Sequence, residues 1–163
     1  MAGDEGGPER WPGAGVAFWA ELRRSPGRFA LLAGDDADAL ARDLADLVGT
    51  VPLHVGQRLA EFEHKPNEAA VRACLRGHPV LAGIEVLFDP VLALEPIRLL
   101  AMLAKEHALA VLWPVPTGSD RLAYPPDASP GYNLTEDLKG CLLLTTRSTI
   151  FSDDAPFTVE RFR

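Results

Sequence analysis

The chain has 163 residues, of which 47% are hydrophobic and 24% are charged, a composition typical of one globular domain with a sizeable core. Its formal net charge of −7 argues against nonspecific binding to DNA or to an anionic membrane, because both need a basic surface. The start is acidic and glycine-rich, and no apolar run is long enough to span a bilayer. We therefore expect a cytoplasmic protein without a signal peptide.

The N-terminal third is predicted to begin with a flexible arm, residues 1–14. Apolar residues at helical spacing predict a helix over 16–24, which Ser25-Pro26-Gly27 ends. Phe29–Ala33 is a short continuous apolar run, typical of a strand that is covered on both faces.

A helix over 36–48 should follow this strand directly. Its predicted core stripe consists of Leu40, Leu44, Leu47 and Val48, with Ala37 and Ala41 beside it. Gly49 is well placed for the left-handed residue that commonly follows the last helical turn.

The rest of the chain alternates strands and helices. Strands are predicted over 51–55, 79–84, 108–113 and 141–146, and helices over 57–62, 67–76 and 94–107. A proline-rich excursion, residues 114–138, precedes the last strand and has a short strand predicted at 122–124. This alternation predicts a single three-layer α/β domain over 15–147, with a mostly parallel five-stranded sheet and a C-terminal tail over 148–163.

Ligands in such sheets bind beyond the carboxyl ends of the strands, and the first of these ends is a strand–glycine–helix unit of the kind that carries phosphate loops. A Walker A loop, GxxxxGK[ST], anchored at Gly34 would need glycine, lysine and a hydroxyl residue at positions 39–41. The sequence has Ala39, Leu40 and Ala41 there, and Leu40 belongs to the predicted core stripe. The lysine that reaches the terminal phosphates is therefore missing.

Acidic residues crowd the same helix start: Asp35, Asp36 and Asp38. Two interpretations remain open. The aspartates cap and stabilise the first turn of an ordinary helix, each by about 0.5–1 kcal/mol. Alternatively, they fill a former phosphate site with the protein's own anions and repel an incoming polyanion.

Other chemistry-bearing residues give weak signals. Cys74 and Cys141 lie far apart without CxxC spacing, so neither a disulfide framework nor a metal site is predicted. Glu85 and Asp89 could act as an acid–base pair, but Asp89-Pro90 more often marks a turn or a helix start. We expect no catalytic residue.

A protein-contact surface is predicted around the proline-rich excursion, with Arg121, Tyr124, Tyr132 and the preceding Trp113 as its candidates. Trp113 could form the wall of a ligand cleft, or it could simply end a strand because proline follows it. The excursion could equally fold back on its own domain through its aromatic residues.

Three blocks carry a resemblance to a known family: GIEVLFDPVLALEPIRLL, VLWP and RLAYPPDASPGY. They resemble the BrxF family, small P-loop proteins of type-3 BREX phage-defence operons, and the resemblance covers roughly residues 28–146. It implies a P-loop NTPase-like (AAA+/RecA-like) domain. It also implies work beside larger defence proteins that include an ATPase, a methyltransferase and a phosphatase-like protein.

The sequence departs from that family where nucleotide chemistry would occur. The acidic Walker B residue would fall at Ala82 or Gly83, and Glu85 has no lysine or metal ligand to act with. Val115 also follows Pro114 where the family pattern has glycine. These departures predict a degenerate P-loop domain without a cofactor, an adaptor that contacts the operon's other proteins, alone or as a homo-oligomer. The alternatives are a subunit that binds ATP and Mg²⁺ and is completed in trans by a partner, and a DNA-binding subunit, which the net acidity disfavours.

Overall fold

The computed structural model describes residues 19–24, 26–33, 37–113, 141–146 and 157–161. Its strands are β1 (Ala30–Ala33), β2 (Leu53–His54), β3 (Val80–Ala82), β4 (Ala110–Leu112), β5 (Leu142–Thr146) and β6 (Phe157–Arg161). Its helices are α1 (residues 19–23), α2 (Ala37–Leu47), α3 (Val55–Leu59), α4 (Glu68–Leu75) and α5 (Pro96–Glu106). Two short 3-10 helices, Ile84–Phe88 and Pro90–Leu92, connect β3 to α5.

The described strands form one sheet in the order β2-β3-β4-β1-β5-β6. The first five in that order run parallel, as the alternation of strands and helices predicts. The predicted count of five strands is wrong, because β6 lies antiparallel to β5 and pairs with it from Leu142↔Arg161 to Thr146↔Phe157. β6 belongs to the segment predicted as a tail, where five isolated residues carry too little periodicity to indicate a strand.

The strands are shorter than predicted. The predicted strand over 51–55 contains only Leu53 and His54, because α3 already begins at Val55. The strand over 108–113 contracts to β4, and the short strand predicted at 122–124 lies outside the described residues. Leu109 and Trp113 remain buried on either side of β4, so that apolar run is longer than the strand, whereas Val51 before β2 is 73% exposed.

Helices cover the sheet on both faces, and the alternation of side chains along β1 separates two cores. Ala30 and Leu32 face a cluster that contains Trp19 and Leu22 of α1 and the buried face of α2. Leu31 faces the opposite cluster, to which α3, α4 and α5 contribute. All four residues of β1 are buried, which agrees with a strand covered on both sides. The predicted three-layer α/β arrangement is therefore confirmed.

Helix α2 confirms most of its predicted stripe and ends as expected. Leu40 and Leu44 are buried, but Leu47 and Val48 are exposed by 37% and 36%, so their assignment to the core is wrong. Gly49 has φ +74°, and the N–H of Thr50 and the N–H of Gly49 donate to the carbonyls of Ala45 and Asp46. This is the Schellman arrangement, and it turns the chain away from the sheet directly after Leu47.

The C-terminal ends of α4 and α5 are clamped together. Arg76 makes a bidentate ion pair with Glu106, at 2.9 and 3.2 Å. Beside it, Nε2 of His107 accepts the N–H of Gly77 at 3.2 Å, while Nδ1 lies 3.0 Å from the carbonyl oxygen of Ala108. The two contacts join helices that lie thirty residues apart in sequence.

Candidate functional site

The carboxyl ends of the parallel strands meet at one edge of the sheet, where ligands of open α/β sheets bind. β4 lies between β1 and β3, so the residue that follows it, Trp113, lies between the carboxyl ends of those two strands. β2 lies beyond β3, so the residues at its end border the β3 loop from the other side. We refer to this row of strand ends as the carboxyl edge.

Only some of the positions predicted for a phosphate loop belong to the described residues. Gly34, Asp35 and Asp36 lie outside the described residues, so their capping role stays a prediction. Asp38 is exposed in the first turn of α2. Ala39 is half-buried, whereas Leu40 and Ala41 are only 5% and 1% exposed, as members of the α1–α2 core. The predicted core orientation of Leu40 is confirmed, and a lysine in its place would point into that core.

The residues predicted as degenerate Walker B positions lie at the end of β3. Ala82 is the last residue of the strand and is half-buried. Gly83 follows it in the left-handed conformation, with φ 62° and ψ 38°. A Cβ at Gly83 would overlap the ring of His54 and lie 2.6 Å from its Nδ1. Both the backbone conformation and the neighbouring ring therefore require glycine at position 83.

His54 is the residue at this edge that the sequence did not indicate. Its Nδ1 accepts the N–H of Gln57 at 3.2 Å and so caps the N-terminus of α3. The N–H of Gly56 donates to the carbonyl of Gly83 at 3.2 Å, directly beside the ring. Histidine is not among the common N-cap residues.

The two acidic candidates differ in role. Oδ1 of Asp89 accepts the N–H of Val91 at 2.9 Å and caps the second 3-10 helix, whose first residue is Pro90. The prediction of Asp89 as a helix-start residue is confirmed. Glu85 is half-buried within the first 3-10 helix. Ala93, just beyond the second, is exposed and adopts φ 49°, a conformation that strains any residue other than glycine, asparagine or aspartate.

Trp113 closes the centre of the carboxyl edge. Its ring packs edge-to-face on Phe88, with centroids 5.8 Å apart and planes at 84°. Its backbone N–H donates to Leu32 of β1 at 2.8 Å, and only 2% of the residue is exposed. Its assignment to a partner surface is therefore wrong, because its aromatic ring is buried within the domain. Arg121, Tyr124 and Tyr132 lie outside the described residues.

Away from the carboxyl edge, a concavity of 270 Å³ lies between α3 and α4. It is lined by Arg58, Glu61, Phe62 and Cys74. Burial raises the pKa of the Cys74 thiol, although Arg58 opposes that effect. The thiol also donates to the carbonyl of Val71 at 3.1 Å. A protonated, hydrogen-bonded thiol is a poor nucleophile, so this concavity has no reactive cysteine at neutral pH.

Comparison with known proteins adds no assignment: no protein-family model, curated protein or solved structure matches the chain. Among the described residues, no three histidine, cysteine or acidic side chains come together in an arrangement that could hold a metal ion. None of the described helices combines the length and the hydrophobicity needed to cross a bilayer.

Proposed function

We propose that the protein is a non-catalytic accessory subunit of a bacterial antiphage defence complex that acts in the cytoplasm through protein–protein contacts. Its scaffold would be that of a P-loop NTPase whose nucleotide edge has been closed. The resemblance to the BrxF family supplies the biological context, and the fold and the carboxyl edge supply the physical argument.

The strand order supports a P-loop scaffold. Read from the other side, the five parallel strands follow the order β5-β1-β4-β3-β2. This is the order in which the AAA+ and RecA-like classes arrange their core strands, with the phosphate loop after β1 and the metal-binding acid at the end of β3. In this chain α2 follows β1 after three residues, and Gly83 follows β3.

The observation that carries the non-catalytic interpretation is the filling of the carboxyl edge by the protein's own side chains. Leu40, at the lysine position, packs into the core of α1 and α2. The imidazole of His54 lies over Gly83, where the acid would project. Trp113, which follows β4, packs edge-to-face on Phe88. A triphosphate needs donors and a cation at this edge, and the predicted lysine and acid positions hold a buried leucine and a glycine instead.

The proposal is tested first by titration calorimetry of the purified chain with ATP and Mg²⁺. We expect no heat of binding and no hydrolysis. Thermal melting with ATP, ADP and GTP is the second readout, because a nucleotide at one hundred times its dissociation constant would stabilise the fold by about 2.7 kcal/mol, a readily visible shift. Nucleotide binding in either measurement would favour the alternative of a subunit completed in trans.

The adaptor role itself requires a partner. Co-purification of the tagged chain with each protein encoded beside it tests this directly. We expect a stable complex that survives without nucleotide. If the chain remains alone with every neighbour, whether or not ATP is added, the adaptor proposal fails even where calorimetry detects no binding.

A further inference from the structure

We propose that His54 is a pH-sensitive latch that fastens the start of α3 to the carboxyl end of β3. The proposal does not depend on the proposed function, because it concerns only how this part of the fold is held together. It rests on two contacts of one exposed imidazole: a hydrogen bond to the backbone of α3 and close packing against Gly83.

The hydrogen bond defines the protonation state of the ring. Nδ1 accepts the N–H of Gln57 at 3.2 Å, and an acceptor nitrogen needs its lone pair, so the bonded ring is neutral with its proton on Nε2. A second proton would place an N–H on Nδ1 opposite the N–H of Gln57. It would also add a positive charge at a helix N-terminus, where unpaired N–H groups already carry partial positive charge. Protonation thus turns a cap into a repulsive contact.

The same ring covers the joint between two elements. It lies over Gly83, and the adjacent hydrogen bond from the N–H of Gly56 to the carbonyl of Gly83, at 3.2 Å, ties α3 to the end of β3. When the ring leaves its position, this hydrogen bond becomes accessible to water. The region that loosens is α3 together with the 3-10 helix Ile84–Phe88, since these two elements contact each other.

Among the described residues, the elements next to the ring are α3, β3 and the first 3-10 helix, and together they carry two charged side chains, Arg58 and Glu85. Arg58 pairs with Glu61 at 3.4 Å, and Glu85 lies within the first 3-10 helix. Both remain in place when His54 alone is replaced, so a substitution there isolates the ring.

The test is amide hydrogen exchange by NMR on the full chain at pH 7.5 and pH 5.5, corrected for the intrinsic pH dependence of exchange. We expect the protection of the Gln57 and Gly56 amides to fall by about fivefold on acidification, the factor that corresponds to the loss of a typical N-cap. The amide of Ala70 is an internal control. Asn67 caps α4 through the same position, at 2.8 Å, with an oxygen that does not titrate.

Two variants sharpen the result. His54→Asn supplies a cap oxygen without a titrating ring and should make both amides insensitive to this pH change, whereas His54→Ala should expose the Gln57 amide at both pH values. Unchanged protection in the wild-type protein would overturn the proposal, as would an equal fall in the His54→Asn variant or in Ala70. Should the variants fail to fold, the ring ¹⁵N shifts of wild-type His54 provide the same test. They must move from the Nε2–H tautomer to the imidazolium together with the loss of amide protection.

Discussion

The packing of the His54 ring against Gly83, at the end of β3, can be tested quantitatively through Gly83→Ala. At φ 62° a side chain costs about 1–2 kcal/mol from backbone strain alone. The new Cβ would also overlap the His54 ring, which would have to leave its position and lose the Gln57 hydrogen bond, a further cost of about 1 kcal/mol. We therefore expect Gly83→Ala to lower the free energy of unfolding by about 2–3 kcal/mol.

The matched control is Gly49→Ala. Gly49 has φ +74°, and a Cβ there meets nothing within 4 Å, so only the backbone strain of about 1–2 kcal/mol should appear. In a His54→Ala background, Gly83→Ala should cost no more than Gly49→Ala does. Urea denaturation followed by circular dichroism measures the wild-type protein and these four variants on one scale. Equal costs at Gly83 and Gly49 in the wild-type background would refute the claim that the His54 ring occupies the space beside Gly83.

Three further predictions follow from described residues. Leu40→Lys should lower the free energy of unfolding by more than about 3 kcal/mol in urea denaturation, because it buries a charge, and Asp43→Lys on the exposed face of the same helix should change it by less than about 0.5 kcal/mol. Ala93→Gly should raise the melting temperature, since strain relief of about 1–2 kcal/mol outweighs the added freedom of the unfolded chain. A lower melting temperature would contradict that assignment of strain. Burial raises the pKa of the Cys141 thiol above its ordinary value of 9.0, despite a backbone hydrogen bond from Phe29 and the charge of Arg28. The unfolded chain then ionises first, so stability is lost as pH rises above about 9, and Cys141→Ala should flatten the stability–pH curve there.

Sequence periodicity was sufficient to predict the layers of the fold, but it did not predict the contacts at the carboxyl edge of the sheet. Apolar runs and helical stripes predicted the parallel sheet because burial on two faces leaves a strong compositional trace, as at Phe29–Ala33. Leu40 was assigned to the core for the same reason, and it lies there. These features depend on short-range spacing, which one sequence displays directly.

Contacts between distant residues could not be obtained in this way. His54 meets Gly83 only because β2 and β3 are neighbours in the sheet, and nothing in either segment alone indicates that packing. Trp113 could be a cleft wall or a strand end until its contact with Phe88 was known. Leu47 and Val48 fit the helical stripe, yet they are exposed because α2 ends and turns at Gly49. Each case depends on where one element stops relative to another.

The position of β1 in the middle of the sheet has a consequence for how the protein is made. Ala30 lies opposite Ala110 on one side and Leu142 on the other, so both neighbours of the central strand are synthesised long after it. During translation the backbone groups of β1 have neither β4 nor β5 to pair with until most of the polypeptide has emerged from the ribosome. Such long-range pairing slows folding, and a nascent chain stopped before β5 would carry an open hydrophobic seam on β1.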